Sequence, residues 1–111
     1  MCIRDSAYAA TKAAVVGLSR QMALDYAVDR IRVNAVLVGS VATRMTLDGL
    51  DAAGGAEAVG LSFEKNRIAR IADPREIATA IGFLLSDDAS FVTGSALQVD
   101  GGLLTRLLRA R

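Results

Sequence analysis

The run Ile31-Arg32-Val33-Asn34-Ala35-Val36-Leu37-Val38 constrains what this chain can fold into more than any other segment. It is dense in β-branched residues, too short for an ordinary helix and closed by Gly39, so it reads as a strand covered on both faces in a parallel sheet. A second short strand, Ala96 to Val99, follows a turn at Thr93-Gly94 and stops at Asp100-Gly101-Gly102. Between the two, Asp73-Pro74-Arg75-Glu76 marks a helix start: Asp73 accepts from a free backbone N–H, Pro74 suits the first helical position and Glu76 stands at the third. Ile77, Ala80, Ile81 and Leu84 then recur at helical spacing to about Leu85. Strand, crossover and strand make a βαβ unit of a parallel sheet, connected with right-handed sense. Two strands cannot bury both faces of such a sheet, so the residues predict part of a larger α/β domain.

A long helix precedes the first strand. Residues Ala7 to Ala27 contain no proline, and Ala9, Ala10, Ala13, Ala14, Val15, Val16 and Leu18 go nearly all the way round, which predicts a buried helix. Its second half turns amphipathic around Met22, Ala23 and Tyr26 and should reach solvent. From Ser40 to Ala72 the periodicity weakens, interrupted by Gly49, Gly54, Gly55 and Gly60, and the expectation is a loop with one or two short helices. Asn34 is read as a structural hydrogen-bonding residue.

Composition narrows the chemistry. The 111 residues are 52% hydrophobic and 23% charged, which suits a globular chain and excludes a disordered tail. Thirteen Lys and Arg against twelve Asp and Glu leave a formal charge of +1 with no basic block, so neither nucleic acid nor an anionic membrane is expected as a partner. No histidine is present, which removes His-based triads and the usual zinc sites, and no metal is expected. The single cysteine, Cys2, cannot form an internal disulfide and fits a reducing compartment. No apolar run approaches the roughly 18 residues of a membrane span. A soluble, cytoplasmic protein is expected.

What remains is Tyr, Lys, Ser, Thr, Asp and Glu. Tyr8 and Lys12, four residues apart, project from one helix face a turn apart. A phenol ionises near pH 10, above the useful range for a proton shuttle, and a neighbouring ammonium stabilises the phenolate and brings that value down to where the phenol can work. Lys12 is read as that tuning charge. The plainer alternative is a packed Tyr8 and a solvated Lys12, and the spacing alone is a weak motif.

Tyr8-Ala9-Ala10-Thr11-Lys12-Ala13-Ala14 resembles the Tyr-x-x-x-Lys active-site helix of the short-chain dehydrogenase/reductase family. Three further segments keep that family's order: Arg32-Val33-Asn34-Ala35-Val36 with Gly39-Ser40-Val41-Ala42-Thr43 resembles its strand and cofactor loop, Asp73-Pro74-Arg75-Glu76-Ile77-Ala78 its later helix start, and Thr93-Gly94 with Val99-Asp100-Gly101-Gly102 its closing strand. The resemblance covers about Ala7 to Gly102. It implies the C-terminal portion of a doubly wound parallel-sheet Rossmann fold whose N-terminal half is missing from this sequence. Residues 1–6 then stand as a non-matching start, read as artificial or as a junction, 7–102 as the C-terminal part of a single domain, and 103–111 as a short amphipathic tail. The Gly-rich pyrophosphate turn, the residue that selects between NAD and NADP, and the catalytic Asn and Ser fall outside this stretch. Ser6, two residues before Tyr8, is read as a cap or loop residue.

The resemblance also implies roles. Tyr8 would exchange a proton with the oxygen of an alcohol or carbonyl substrate while hydride passes to or from NAD or NADP, and Lys12 would also bond the nicotinamide ribose hydroxyls. Gly39 would let the backbone approach the cofactor, Val41 would meet the carboxamide through its main chain, and Thr43 would add a hydroxyl, with an ordinary helix cap as its alternative. Val38 stands where the family commonly has Pro, and in Arg67-Ile68-Ala69-Arg70 only Arg70 survives from the family's Pro-Leu-Gly-Arg. Met45, Leu47, Leu50 and Phe63 are candidates for an apolar substrate pocket or for plain packing. A homo-oligomer is expected of the full-length protein, through the helix that carries Tyr8. The competing reading is a non-catalytic interaction module that keeps the small-residue face Ala13, Ala14 and Gly17 without turnover.

Overall fold

The computed structural model describes residues 6–55, 68 and 70–103. The calls on Cys2 and the chain start, on Gly60, Phe63, Arg67 and Ala69, and on the tail beyond residue 103 lie outside the described residues. The described elements are α1 (Ser6–Asp25), β1 (Ala35–Val38), α2 (Arg44–Ala52), α3 (Pro74–Leu85) and β2 (Ala96–Val99), with 3₁₀ turns at Ala27–Asp29 and Asp87–Ala89. Two strands form one sheet. The Gly94 N–H donates to the Val33 carbonyl at 2.7 Å, Ala35 to Ser95 at 2.8 Å and Gly39 to Val99 at 3.1 Å, so partner numbers rise together and the pair is parallel. The chain groups into two compact units, Met1–Leu37 with Ala80–Leu97 and Val38–Thr79 with Gln98–Arg111.

In the first unit, the strand expected over Ile31 to Val38 begins only at Ala35. At residues 31–34 only the Val33 carbonyl joins the main-chain ladder, and side chains supply most of the other bonds. Arg32 Nη1 donates to the carbonyls of Leu84 (2.7 Å) and Val92 (3.2 Å), and its Nη2 donates to Ser86 (3.2 Å). These are the end of α3 and the turn before β2, so the guanidinium acts where a helix leaves its last carbonyls without internal donors. Asn34 Nδ2 donates to the Val92 carbonyl at 2.9 Å and its Oδ1 accepts from the Ser95 N–H at 3.0 Å, the structural role read for it from the sequence. Arg30 closes the turn after α1 in the left-handed region, φ 60°.

The helix α1 ends at Asp25, and of its residues only Ala23 is buried. The expectation of a buried helix is therefore not met within this chain: Val15 and Leu18 are 53% and 60% exposed. Apolar residues all round a helix report that it needs cover on several sides, and the described elements cover one. Ala23 packs where β2 is about to begin, since a Cβ on Gly94 would lie 3.6 Å from its own.

In the second unit, β1 passes into an irregular loop that is registered by a parallel bridge between Val41 and Ala72. Ala42 N–H donates to Ala72 O at 2.9 Å, and Ala72 N–H donates to Ser40 O at 3.0 Å. The short helix α2 follows, within the segment expected to hold one or two such helices. At α3 the cap anticipated from Asp73-Pro74-Arg75-Glu76 is present in both directions. Asp73 Oδ1 accepts from the Arg75 N–H at 2.8 Å, and Glu76 Oε2 accepts from the Asp73 N–H at 2.8 Å.

Candidate functional site

Tyr8 and Lys12 both lie on α1, in the first unit. The helical rise brings them together: the Lys12 ammonium stands 5.4 Å from the centroid of the Tyr8 ring, over its face. That is within cation–π range, an attraction of about 0.5–1 kcal/mol at exposed positions. Tyr8 is 64% exposed, so its ring and hydroxyl are open to whatever approaches this end of the helix. Thr11, between them, turns its hydroxyl back to the Tyr8 carbonyl at 2.7 Å and leaves the Tyr8–Lys12 pair to itself. Ser6 is the first residue of α1.

Gly39, Val41 and Thr43 lie in the second unit, along the loop that leaves β1. A Cβ at Gly39 would come within 2.8 Å of Asp100 Cα and 3.1 Å of Asp100 O, so close approach of two backbones already demands glycine there. At Val41 the bridge geometry gives both Ala72 bonds to Ser40 and Ala42, so the Val41 N–H is turned to the opposite edge of the strand. Thr43 caps α2: its Oγ1 accepts from the Thr46 N–H at 3.3 Å and lies 3.0 Å from the Thr46 hydroxyl. The cap alternative raised for Thr43 is what its side chain does here.

One constellation was not singled out as a unit from the sequence. Arg70 and Glu76 form an end-on bidentate pair in which Nη1 donates to Oε2 and Nη2 to Oε1, both at 2.7 Å. Hydrogen bonds from the Arg70 guanidinium, and then from the Asp73 N–H, hold the Glu76 carboxyl down at about 2, and the same pairing raises the Arg70 value. The sequence signal for Glu76 was its cap position, and for Arg70 its survival from a family motif. Their six-residue separation fits no helical rule that would have paired them. Both line an open cleft of about 340 Å³ in the second unit, together with Ser40, Gln98 and Asp100, and none of the five residues named as site residues from the sequence lines it. Met45 is 84% and Leu47 45% exposed, so neither is packed into a core. Among the described residues no group of His, Cys, Asp and Glu could hold a metal ion, and no helix is long and apolar enough to cross a membrane.

A family model described as Enoyl-(Acyl carrier protein) reductase matches residues 2–104. The chain belongs to the short-chain dehydrogenase/reductase family. Within it, the chain is 46% identical over 99 residues to 2-(S)-hydroxypropyl-CoM dehydrogenase 3 of Xanthobacter autotrophicus, spanning 88% of this chain and 39% of that protein. Among solved structures, it is similar to a putative 2-deoxy-d-gluconate 3-dehydrogenase from Agrobacterium tumefaciens with bound NADP, at 36% identity and a TM-score of 0.80 over 89% of this chain and 39% of that one. A 4-hydroxyisoleucine dehydrogenase complexed with NADH gives 29% identity and a TM-score of 0.81 over 92% of this chain and 41% of that one. The fold is thus part of the family's Rossmann architecture, and the chain spans about two fifths of the length of these relatives.

Proposed function

We propose that this chain carries the proton-transfer and nicotinamide-end residues of an NAD(P)-dependent oxidoreductase acting on a small alcohol or carbonyl compound. The observation that carries the reading is the Tyr8–Lys12 pair, held a turn apart on one exposed helix face with the ammonium 5.4 Å from the ring. A bound NAD or NADP supplies or accepts the hydride. Tyr8 takes the proton of the alcohol during oxidation and returns one to the carbonyl oxygen during reduction. Lys12 stabilises the phenolate form through its positive charge and donates to the ribose hydroxyls of the cofactor.

The residues fit a nicotinamide nucleotide in their chemistry. Its carboxamide and ribose offer acceptors and donors; the first unit offers the Lys12 ammonium, and the second offers the Val41 N–H turned away from Ala72 and the Thr43 hydroxyl. Thr43 shares that hydroxyl with the cap of α2, so its part in cofactor binding is secondary to Val41. Gly39 serves the same loop by keeping it tight against Asp100. Domain organisation follows the same reading: residues 7–102 carry the cofactor-end half of one domain. Homo-oligomers form through α1, whose exposed Val15, Leu18 and Leu24 need cover.

Those same exposed residues favour the second reading, a module that binds through α1 without turnover. Kinetics separates the two. The test joins this chain to the amino-terminal part of the Xanthobacter relative, so that the protein has the relative's full length, and asks whether removing the Tyr8 hydroxyl removes turnover.

A further inference from the structure

The Glu76 carboxylate closes a four-residue span at both ends. At one end it accepts both guanidinium bonds of Arg70, and at the other it accepts the Asp73 N–H. Arg70 Nη1 also reaches the Ile71 carbonyl at 3.4 Å, inside that span. Ala72 lies within the span and spends both of its main-chain groups on the loop after β1, donating to Ser40 O and accepting from the Ala42 N–H. Whatever fixes the span therefore fixes how Ser40, Val41 and Ala42 are turned.

Helix capping does not account for this arrangement. The cap needs only the Asp73 and Glu76 bonds, and an exposed ion pair adds little to global stability. The Arg70 fork adds orientation: two parallel N–H···O bonds set the plane of the carboxylate and the position of residue 70 together, which a single-point cation would not do.

We propose that the Arg70–Glu76 clasp is a positioning device for the loop Gly39–Thr43, setting the direction of the Val41 N–H toward the nicotinamide end of the cofactor. This inference rests on the cofactor-loop reading above. Arg70 and Glu76 act through Ala72 and do not touch the cofactor. The effect should fall on cofactor affinity and on the loop amides, with little change elsewhere in the sheet.

Two measurements test it. Amide hydrogen exchange on the 111-residue chain compares the unaltered sequence with Glu76→Gln, which keeps an amide oxygen for the Asp73 N–H and loses only the charged fork. Exchange at Ala42 and Ala72 should quicken about fivefold or more, while Ala35 and Gly94, whose bonds join the strands in the other unit, stay within about twofold. NADH fluorescence titration of the joined protein should then give a Kd about 5–10-fold weaker for Glu76→Gln and for Arg70→Gln, with Arg70→Lys between. Asp73→Ala is the structural control, because it removes the cap bond to the Arg75 N–H and leaves the clasp. It should lower Tm and leave the Kd alone; an equal loss of affinity in Asp73→Ala would overturn the proposal. Val41→Pro removes the N–H in question. If it weakens NADH and the clasp variants do not, the clasp proposal falls and the loop reading stands. If Val41→Pro leaves the Kd unchanged, the loop reading falls and the clasp falls with it.

Discussion

Gly39 and Asp100 meet backbone to backbone, so closely that a methyl group on Gly39 would sit 2.8 Å from Asp100 Cα. Each residue directly follows one of the paired strands, and the atoms of Asp100 that the methyl would meet include main-chain Cα and O, which cannot swing aside. Gly39→Ala should therefore destabilise the protein by about 1–3 kcal/mol, the range for forcing an extra carbon into a filled space. Gly17→Ala and Gly82→Ala provide the opposite sign. Both lie inside helices with nothing within 4 Å of the added carbon, and each should stabilise by roughly 0.5–1 kcal/mol. Urea unfolding of the three variants reads the contrast directly, and a neutral Gly39→Ala would mean that the strand ends are looser than the structure shows.

Arg32 is expected to matter through geometry as well as charge. It reaches three carbonyls with two nitrogens, so Arg32→Lys keeps the charge and loses the fork. The expected loss is about 1–2 kcal/mol, with Asn34→Ala costing somewhat less, about 0.5–1.5 kcal/mol, because the Ser95 N–H loses its partner while the Val92 carbonyl keeps Arg32 Nη1. Denaturant midpoints for the two variants check this, and midpoints unchanged from the parent would contradict it.

The acid side of the stability profile belongs to Glu76. Its carboxyl is held at about 2 in the folded chain against an ordinary value of 4.5, chiefly by Arg70 and next by the Asp73 N–H. A depressed value means the folded state favours the carboxylate, so the stabilisation is present above about pH 4.5 and is lost as pH falls toward 2. Glu76→Gln should remove that part of the acid dependence and leave the profile above pH 5 parallel to the parent. Tm measured across pH 2–6 decides; an unchanged acid limb would show that the clasp is not formed in solution.

Cofactor binding to the 111-residue chain by itself should be weaker than micromolar. The sequence contains no Gly-rich turn between a strand and a helix to hold a pyrophosphate, and that contact supplies much of dinucleotide affinity. Calorimetric titration with NADH and NADPH gives the answer, and a micromolar Kd for the chain alone would show that the site is built differently.

Much of this architecture was legible because its signals are local. The capping box at Asp73–Glu76, the β-branched run into Gly39 and the turn at Thr93-Gly94 each state their structure within a few residues. The strand starts four residues later than its β-branched run suggests, because Arg32 and Asn34 bond through side chains to Leu84, Ser86 and Val92, more than fifty positions away, and periodicity cannot see such partners. The first half of α1 reads as buried because its residues are apolar on nearly every side, whereas burial depends on what lies against it, and among the described residues of the helix only Ala23 is buried. At the site, i and i+4 spacing put Tyr8 beside Lys12 without further information. The Arg70–Glu76 pair, spanning a loop with no fixed geometry, required coordinates.

The most direct measurement is turnover of the joined protein with Tyr8→Phe, following nicotinamide reduction at saturating NAD or NADP with a panel of small secondary alcohols. This substitution keeps the ring under the Lys12 ammonium and removes only the hydroxyl. Lys12→Ala serves beside it, since losing the ammonium should weaken cofactor binding and move the pH–rate profile to the alkaline side. For Tyr8→Phe the account predicts a fall in kcat of about 10²-fold or more with cofactor Kd within about twofold of the parent. A Tyr8→Phe protein that turns over at near-parental rate would contradict it and leave the Tyr8–Lys12 pair as a structural contact on an interaction helix.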